Sequence, residues 1–139
     1  MSVNKTKRKE SKVEFDAAYF KLFNDATFLI ENHFGAKNET MITQIISDRI
    51  LRVVFDIGTH IRMANSIYPT CEIEYQERRL HQDKAIGLCF DLLTKYQLIM
   101  EKLKIPDDKY VNEIKNVIHE INCLKRWRET DHKRFKFAG

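Results

Sequence analysis

Glu129 and His132, spaced Glu-x-x-His, come nearest in this chain to a metal-binding signature. A carboxylate-bridged metal pair in a helical bundle needs two such motifs, plus inward glutamates from two further helices. Only one is present, and it falls in a basic terminal segment. His81 lies on an apolar helical line with no carboxylate one turn away on that line, so it reads as a hydrogen-bonded core or interface histidine. His33, His60 and His119 fall on different helices without a ligand at helical spacing. Glu72, Glu74 and Glu77 cluster where a helix should begin, and the positive end of its dipole accounts for them without acid–base work. There is no glycine-rich phosphate loop and no nucleophile elbow. Cys71, Cys89 and Cys123 are odd in number and never spaced as a metal or redox pair, so they read as reduced, mostly packing residues. These residues point to no enzyme, no metal and no cofactor.

The cations carry more information. Lys5, Lys7, Arg8, Lys9 and Lys12 face only Glu10 near the start of the chain. Lys125, Arg126, Arg128, Lys133, Arg134 and Lys136 face only Glu129 and Asp131 near its end. Each end is thus +4, and a chain total of +4 leaves −4 for the region between them. Two concentrated basic patches are the footprint of a protein that touches a phosphate backbone, although basic ends can also serve only to solubilise. Phe135 and Phe137 interleave with Lys133, Arg134 and Lys136, which suits base stacking beside charge neutralisation, or equally a disordered tail with two incidental aromatics. Arg78 and Arg79 are less obviously paired than Arg52, which sits one turn from both Asp48 and Asp56, and they extend the candidate cationic surface.

The elements that position these residues read as four helices. The chain has 139 residues, enough for one domain with a real core. With only four Gly and two Pro, it has little material for the turns of an all-β fold. Residues 1–12 are predicted to be a basic flexible tail, 13–128 a helical bundle and 129–139 a second basic flexible tail. The first helix is predicted from about Glu14 to Phe34, with Gly35 as its stop. Asn38 is the expected cap of the second, which runs to about Ile67 before Pro69. The third spans about Glu72 to Leu103. Ile105-Pro106-Asp107 connects it to the fourth, with Asp107 as cap. The core line of the fourth passes on through Lys125 and Arg128, which predicts a helix outrunning the bundle. Short connectors between long helices predict an all-α, up-and-down antiparallel four-helix bundle with basic disordered ends.

The second helix carries two apolar stripes. Ile46, Ile50, Val53, Ile57, Ile61 and Ala64 form one; Leu51, Val54, Phe55 and Gly58 form the other, bordered by Arg62. Ile86, Phe90 and Leu93 widen the third helix in the same way. One stripe fills a core, so the second predicts a homo-oligomer interface, unless tilted helices wrap closely enough to hide both. No signal-like segment opens the chain, and no apolar run approaches the roughly 20 residues that span a bilayer. A cytoplasmic protein without a membrane partner is expected.

Two segments carry a family resemblance. Ser47-Asp48-Arg49-Ile50, followed by Leu51, Val54, Ile57 and Ile61, resembles the "DRI" helix of the accessory variability determinant (Avd) proteins of diversity-generating retroelements. Lys95-Tyr96-Gln97-Leu98-Ile99-Met100, then Leu103, Ile105, Tyr110, Ile114, Ile121, Leu124 and Trp127, is similar to that family's third helix, hinge, fourth helix and closing tryptophan. A four-helix-bundle family linked to ribosomal RNA operons has related patterning. Lys125 and Arg126 stand where the Avd family often has small residues, and the link Tyr68-Pro69-Thr70-Cys71 fits loosely. The resemblance implies a five-subunit barrel that binds a dedicated reverse transcriptase together with RNA or DNA. It also implies support of cDNA synthesis from a template repeat during mutagenic retrohoming, with the polymerase chemistry in the partner. The rival expectations are a helical protein-interaction module without a nucleic-acid role, and a metal-bearing bundle enzyme.

Overall fold

The computed structural model describes the backbone of residues 2–33, 40–103, 108 and 110–137, and side chains within 16–32, 40–102, 108 and 110–137. Four helices account for nearly all of it: α1 (Ser2–His33), α2 (Met41–Ser66), α3 (Glu72–Leu103) and α4 (Val111–Arg134). No strand occurs among the described residues. Each helix packs against its neighbours in sequence and α4 closes back onto α1, which is the up-and-down antiparallel bundle. The α2–α3 and α1–α4 seams are the most extensive.

Local chemistry sets the helix ends. At the start of α2, the Thr40 hydroxyl accepts from the Thr43 amide at 3.2 Å, and the Thr43 hydroxyl accepts from the Thr40 amide at 2.7 Å. This reciprocal capping box places the cap at Thr40 rather than at the expected Asn38. At the start of α3, the Glu74 carboxylate accepts from the Thr70 amide and hydroxyl, which holds its pKa below the usual value. The predicted bounds of α3 agree with those observed, and α2 ends at Ser66, just before Pro69. Gly35, Asn38 and the connector at Ile105, Pro106 and Asp107 lie outside the described residues.

Two expectations for the ends need correction. First, α1 begins at Ser2, well ahead of Glu14. The leading segment has no apolar period, but it has no Gly or Pro either and is rich in Lys, a good helix former. Second, the described part of the expected second tail, 129–137, is not free. Helix α4 continues to Arg134, and Asp131 within it is buried. The buried line of α4 runs through Leu124, Trp127 and Asp131, not through Lys125 and Arg128.

Both apolar stripes of α2 are largely used inside the bundle. Ile50, Val53, Ile57, Ile61 and Ala64 are buried, and so are Val54 and Gly58 of the second stripe. The reason is Tyr19 of α1, whose hydroxyl donates to the Val54 carbonyl at 3.0 Å. A Cβ built on Gly58 would lie 2.2 Å from that same hydroxyl oxygen, so only glycine admits the Tyr19 side chain here. Ile86 of α3 is also core. Val54, Gly58 and Ile86 are therefore removed from the expected oligomer interface. A helix flanked by two neighbours needs two buried stripes, and the width of the apolar arc alone does not imply a second subunit. Of the remaining predicted residues, Leu51 and Leu93 are half-buried, while Phe55, Arg62 and Phe90 are exposed. Phe55 meets Phe23 edge-on at 5.5 Å.

Candidate nucleic-acid interface

The end of the bundle where α3 begins and α4 finishes is organised by a buried arginine. Arg78 follows the inward line of α3 that continues through Gln82 and Ala85, and Asp131 follows the inward line of α4. Arg78 Nε donates to Asp131 Oδ2 at 2.6 Å and Nη2 to Oδ1 at 3.1 Å. Arg78 Nη1 donates to the Ile67 carbonyl at 2.8 Å, and Gln82 Nε2 adds a 2.6 Å bond to Asp131 Oδ2. The guanidinium lies over the Trp127 ring at 5.2 Å and the Phe135 ring at 5.7 Å. The two ion-pair side chains are 8% and 2% exposed. Arg78 is consequently not available to phosphate. Its donors are spent on Asp131 and on the last turn of α2, and the pair ties α2, α3 and α4 together.

This clasp draws the end of the chain back over the bundle. Beyond α4, Phe135 stacks with Phe137 at 6.1 Å and 5° and lies 5.7 Å from Tyr68, edge to face. Tyr75 lies 6.2 Å and 6.4 Å from the two phenylalanines. Arg134 sits over Tyr68 at 5.3 Å and Phe135 at 4.7 Å, while Arg79 Nη1 donates to the Tyr75 hydroxyl at 3.2 Å. Tyr68 is 64% exposed; Lys133 and Lys136 are exposed, Lys133 lying 4.0 Å from the Glu129 carboxylate. The result is a surface of three accessible rings, Tyr68, Phe135 and Phe137, backed by the buried Tyr75 and edged by Arg79 and Arg134, with the exposed Lys136 between the two phenylalanines in sequence. Sequence spacing gives no sign of Tyr68 and Tyr75 as part of it. The Tyr68-Pro69 link and Tyr75 at the start of α3 are separated in sequence from the interleaved tail, and only the docked tail joins them.

The other predicted cations divide. Arg128 Nη1 is paired with Asp83 Oδ1 at 2.8 Å, which neutralises it. Lys125 lies 5.5 Å from the Phe90 ring, and Arg126 donates to Cys123 Sγ at 3.4 Å; both are exposed. The side chains of Lys5, Lys7, Arg8, Lys9 and Lys12 lie outside the described residues.

Two internal features could suggest chemistry. Glu120 of α4 is wholly buried with no hydrogen-bond partner on either carboxylate oxygen. Burial, then the nearby Asp16 carboxylate, pushes its pKa up to about 8. His60 Nδ1 and His81 Nδ1 approach to 3.0 Å across the α2–α3 seam, so one ring donates and the other accepts. That pairing, invisible in the spacing of either helix, gives His81 the hydrogen-bonded interface role expected of it. His60 is held below the usual histidine range by burial, then by His81 and Lys84, with Asp56 opposing. The Cys89 thiol, deeply buried, is pushed far above the usual range. Among the described residues no three His, Cys, Asp or Glu side chains gather as a metal-ligand set. No helix among them is long and apolar enough to cross a membrane.

Compared with protein-family models, curated proteins and solved structures, the chain matches none.

Proposed function

We propose that this chain is a non-enzymatic accessory subunit that binds nucleic acid through the aromatic and cationic surface at the end of α4. In the setting that the Avd resemblance implies, it assists the reverse transcriptase of a diversity-generating retroelement. The protein would act as a homo-oligomer, supporting cDNA synthesis from the template repeat during mutagenic retrohoming while the partner performs the polymerisation. The observation that carries the nucleic-acid reading is the gathering of Tyr68, Phe135 and Phe137, backed by the buried Tyr75, with Arg79 and Arg134 on one face, and with exposed Lys133 and Lys136 in the same terminal segment. Ring faces accept any base, and flanking cations neutralise the strand, so a single strand fits this surface without sequence preference. The basic leading segment of α1 would add a second electrostatic contact, and several copies in one particle would make weak contacts effective together.

The test is fluorescence anisotropy with single-stranded RNA and DNA across a salt series, on the whole chain and on a chain lacking residues 2–12. Affinity is expected to fall steeply with salt and to drop when Arg134 and Lys136 are replaced by alanine. Binding that stays constant from low to moderately high salt overturns the reading. Addition of the chain to a reverse transcriptase on a repeat-bearing template then tests the accessory role, with increased cDNA yield as the expected result. A second reading, a helical protein-interaction module with no nucleic-acid role, is favoured by the apolar residues exposed on α2 and α3. It predicts that neither strand binds.

A further inference from the structure

At the opposite end of the α2–α3 seam lies a groove of about 520 Å³. Its floor includes Ile42, Ile45 and Leu98, each about half exposed or more. Its rim carries Arg49, Lys95 and Lys102. Lys95 is paired with Asp91 at 2.8 Å, whereas Arg49 and Lys102 are exposed and make no ion pair among the described residues. Nucleic acid is a poor occupant, because a floor of branched aliphatic side chains offers no ring for a base to stack on. The same groove on a second copy is also a poor partner, since a two-fold contact would set Arg49 and Lys102 against their own equivalents.

A complementary face exists elsewhere on the chain. The first turns of α3 present Ile73, which is 75% exposed, and Leu80, half exposed, with Glu72 and Glu77 on their flanks. From Ile73 to Leu80 is two helical turns, about 10 Å, the same length as from Ile42 to Arg49. An apolar strip with Glu72 and Glu77 at its edges thus matches an apolar groove with basic edges in hydrophobicity and sign, the exposed Lys84 lying one turn beyond the strip. The geometry points to a head-to-tail contact in which the Ile73–Leu80 strip of one copy seats in the Ile42–Leu98 groove of the next. Glu72 and Glu77 then meet Arg49 and Lys102. The contact is heterologous, so it builds a ring where the rotation closes and an open array where it does not. It rests on the homo-oligomer part of the reading above, not on the nucleic-acid part.

The test is sedimentation velocity on four folded proteins, with circular dichroism melts to confirm the fold of each. The wild type is expected to assemble. Arg49→Glu with Lys102→Glu is expected to be monomeric, and so is Glu72→Lys with Glu77→Lys. All four substitutions together restore complementarity and are expected to restore assembly, an outcome that general damage to the bundle does not produce. The contact is overturned if either double variant stays assembled, or if the quadruple variant is folded but monomeric. Groove variants that stay assembled but lose single-strand binding assign the groove to nucleic acid and overturn the contact. A monomeric wild type that binds a single strand overturns the contact and leaves the nucleic-acid reading standing. The full rescue pattern in a protein that ignores the strand does the reverse.

Discussion

Arg78 and Asp131, 53 residues apart in sequence, form a two-pronged ion pair in the interior of the bundle. It touches each element at that end: the carbonyl of Ile67 at the end of α2, Gln82 on the inward line of α3, and Phe135 beyond α4. Removal of one partner strands the other charge away from water. Asp131→Ala is expected to lower stability by about 3–5 kcal/mol. Replacement of both by apolar residues of similar volume is expected to cost far less. Denaturant melts of the single and double variants check this, and equal losses in the two would contradict it.

The two described helical glycines should respond with opposite signs. Gly87 on α3 is exposed and an added Cβ meets nothing within 4 Å. Gly87→Ala is therefore expected to stabilise by about 0.5–1 kcal/mol through helix propensity. Gly58→Ala gains the same propensity but drives a methyl into Tyr19, 2.2 Å from its hydroxyl oxygen. A net loss of about 1–3 kcal/mol is expected from that overpacking. Thermal melts of the two variants give the signs directly.

Glu120 should make the bundle weaker in mild alkali. Its folded pKa, about 8, is above the 4.5 of the unfolded chain. The folded state therefore holds the extra proton between these values, and stability falls as pH rises through that window. The loss is on the order of a few kcal/mol, because each pH unit between the two values contributes about 1.36 kcal/mol. Glu120→Gln is expected to flatten the profile and to be more stable than wild type at pH 9. A Glu120→Gln profile that falls as steeply as wild type between pH 7 and pH 9 rules the assignment out.

The His60–His81 contact acts in the opposite direction. One proton between the two Nδ1 atoms makes a hydrogen bond, but a second sets two N–H groups against each other at 3.0 Å. Because the His60 pKa is lowered by folding, stability is full above about 6.5 and declines as pH falls below it. His81→Leu is expected to lose the hydrogen bond at pH 7.5 yet show a smaller drop between pH 7 and pH 5. Imidazole nitrogen NMR should find one Nδ1 protonated and the other bare at neutral pH.

Cations in the basic end should not contribute equally to strand binding. Tyr68→Ala is expected to weaken it by about 1–3 kcal/mol through lost stacking. Lys136→Ala is expected to reduce the salt slope by about one, because Lys136 is free to meet a phosphate. Arg128→Ala should leave the affinity nearly unchanged, since Asp83 already pairs that charge at 2.8 Å. Equal effects at Arg128 and Lys136 would indicate diffuse attraction to a tail rather than a surface with shape.

The sequence by itself determined the number of helices, the bounds of α3, the proline-limited end of α2 and the order in which the helices pack. These follow from periodicity and capping chemistry, which are local properties of the chain. It also located the cationic and aromatic residues of the basic end. Tertiary structure alone decided which groups are satisfied internally. Tyr19 covers Val54 and Gly58, which look from α2 like surplus surface. Asp131 claims Arg78 from a helix away and turns a presumed phosphate contact into a clasp. His60 and His81 meet only because α2 and α3 run antiparallel at one register. A hydrophobic period shows that a face must be covered, and a charge that it must be solvated or paired. Which neighbour does the covering or the pairing is a property of distances across the bundle, and no spacing along one helix contains it.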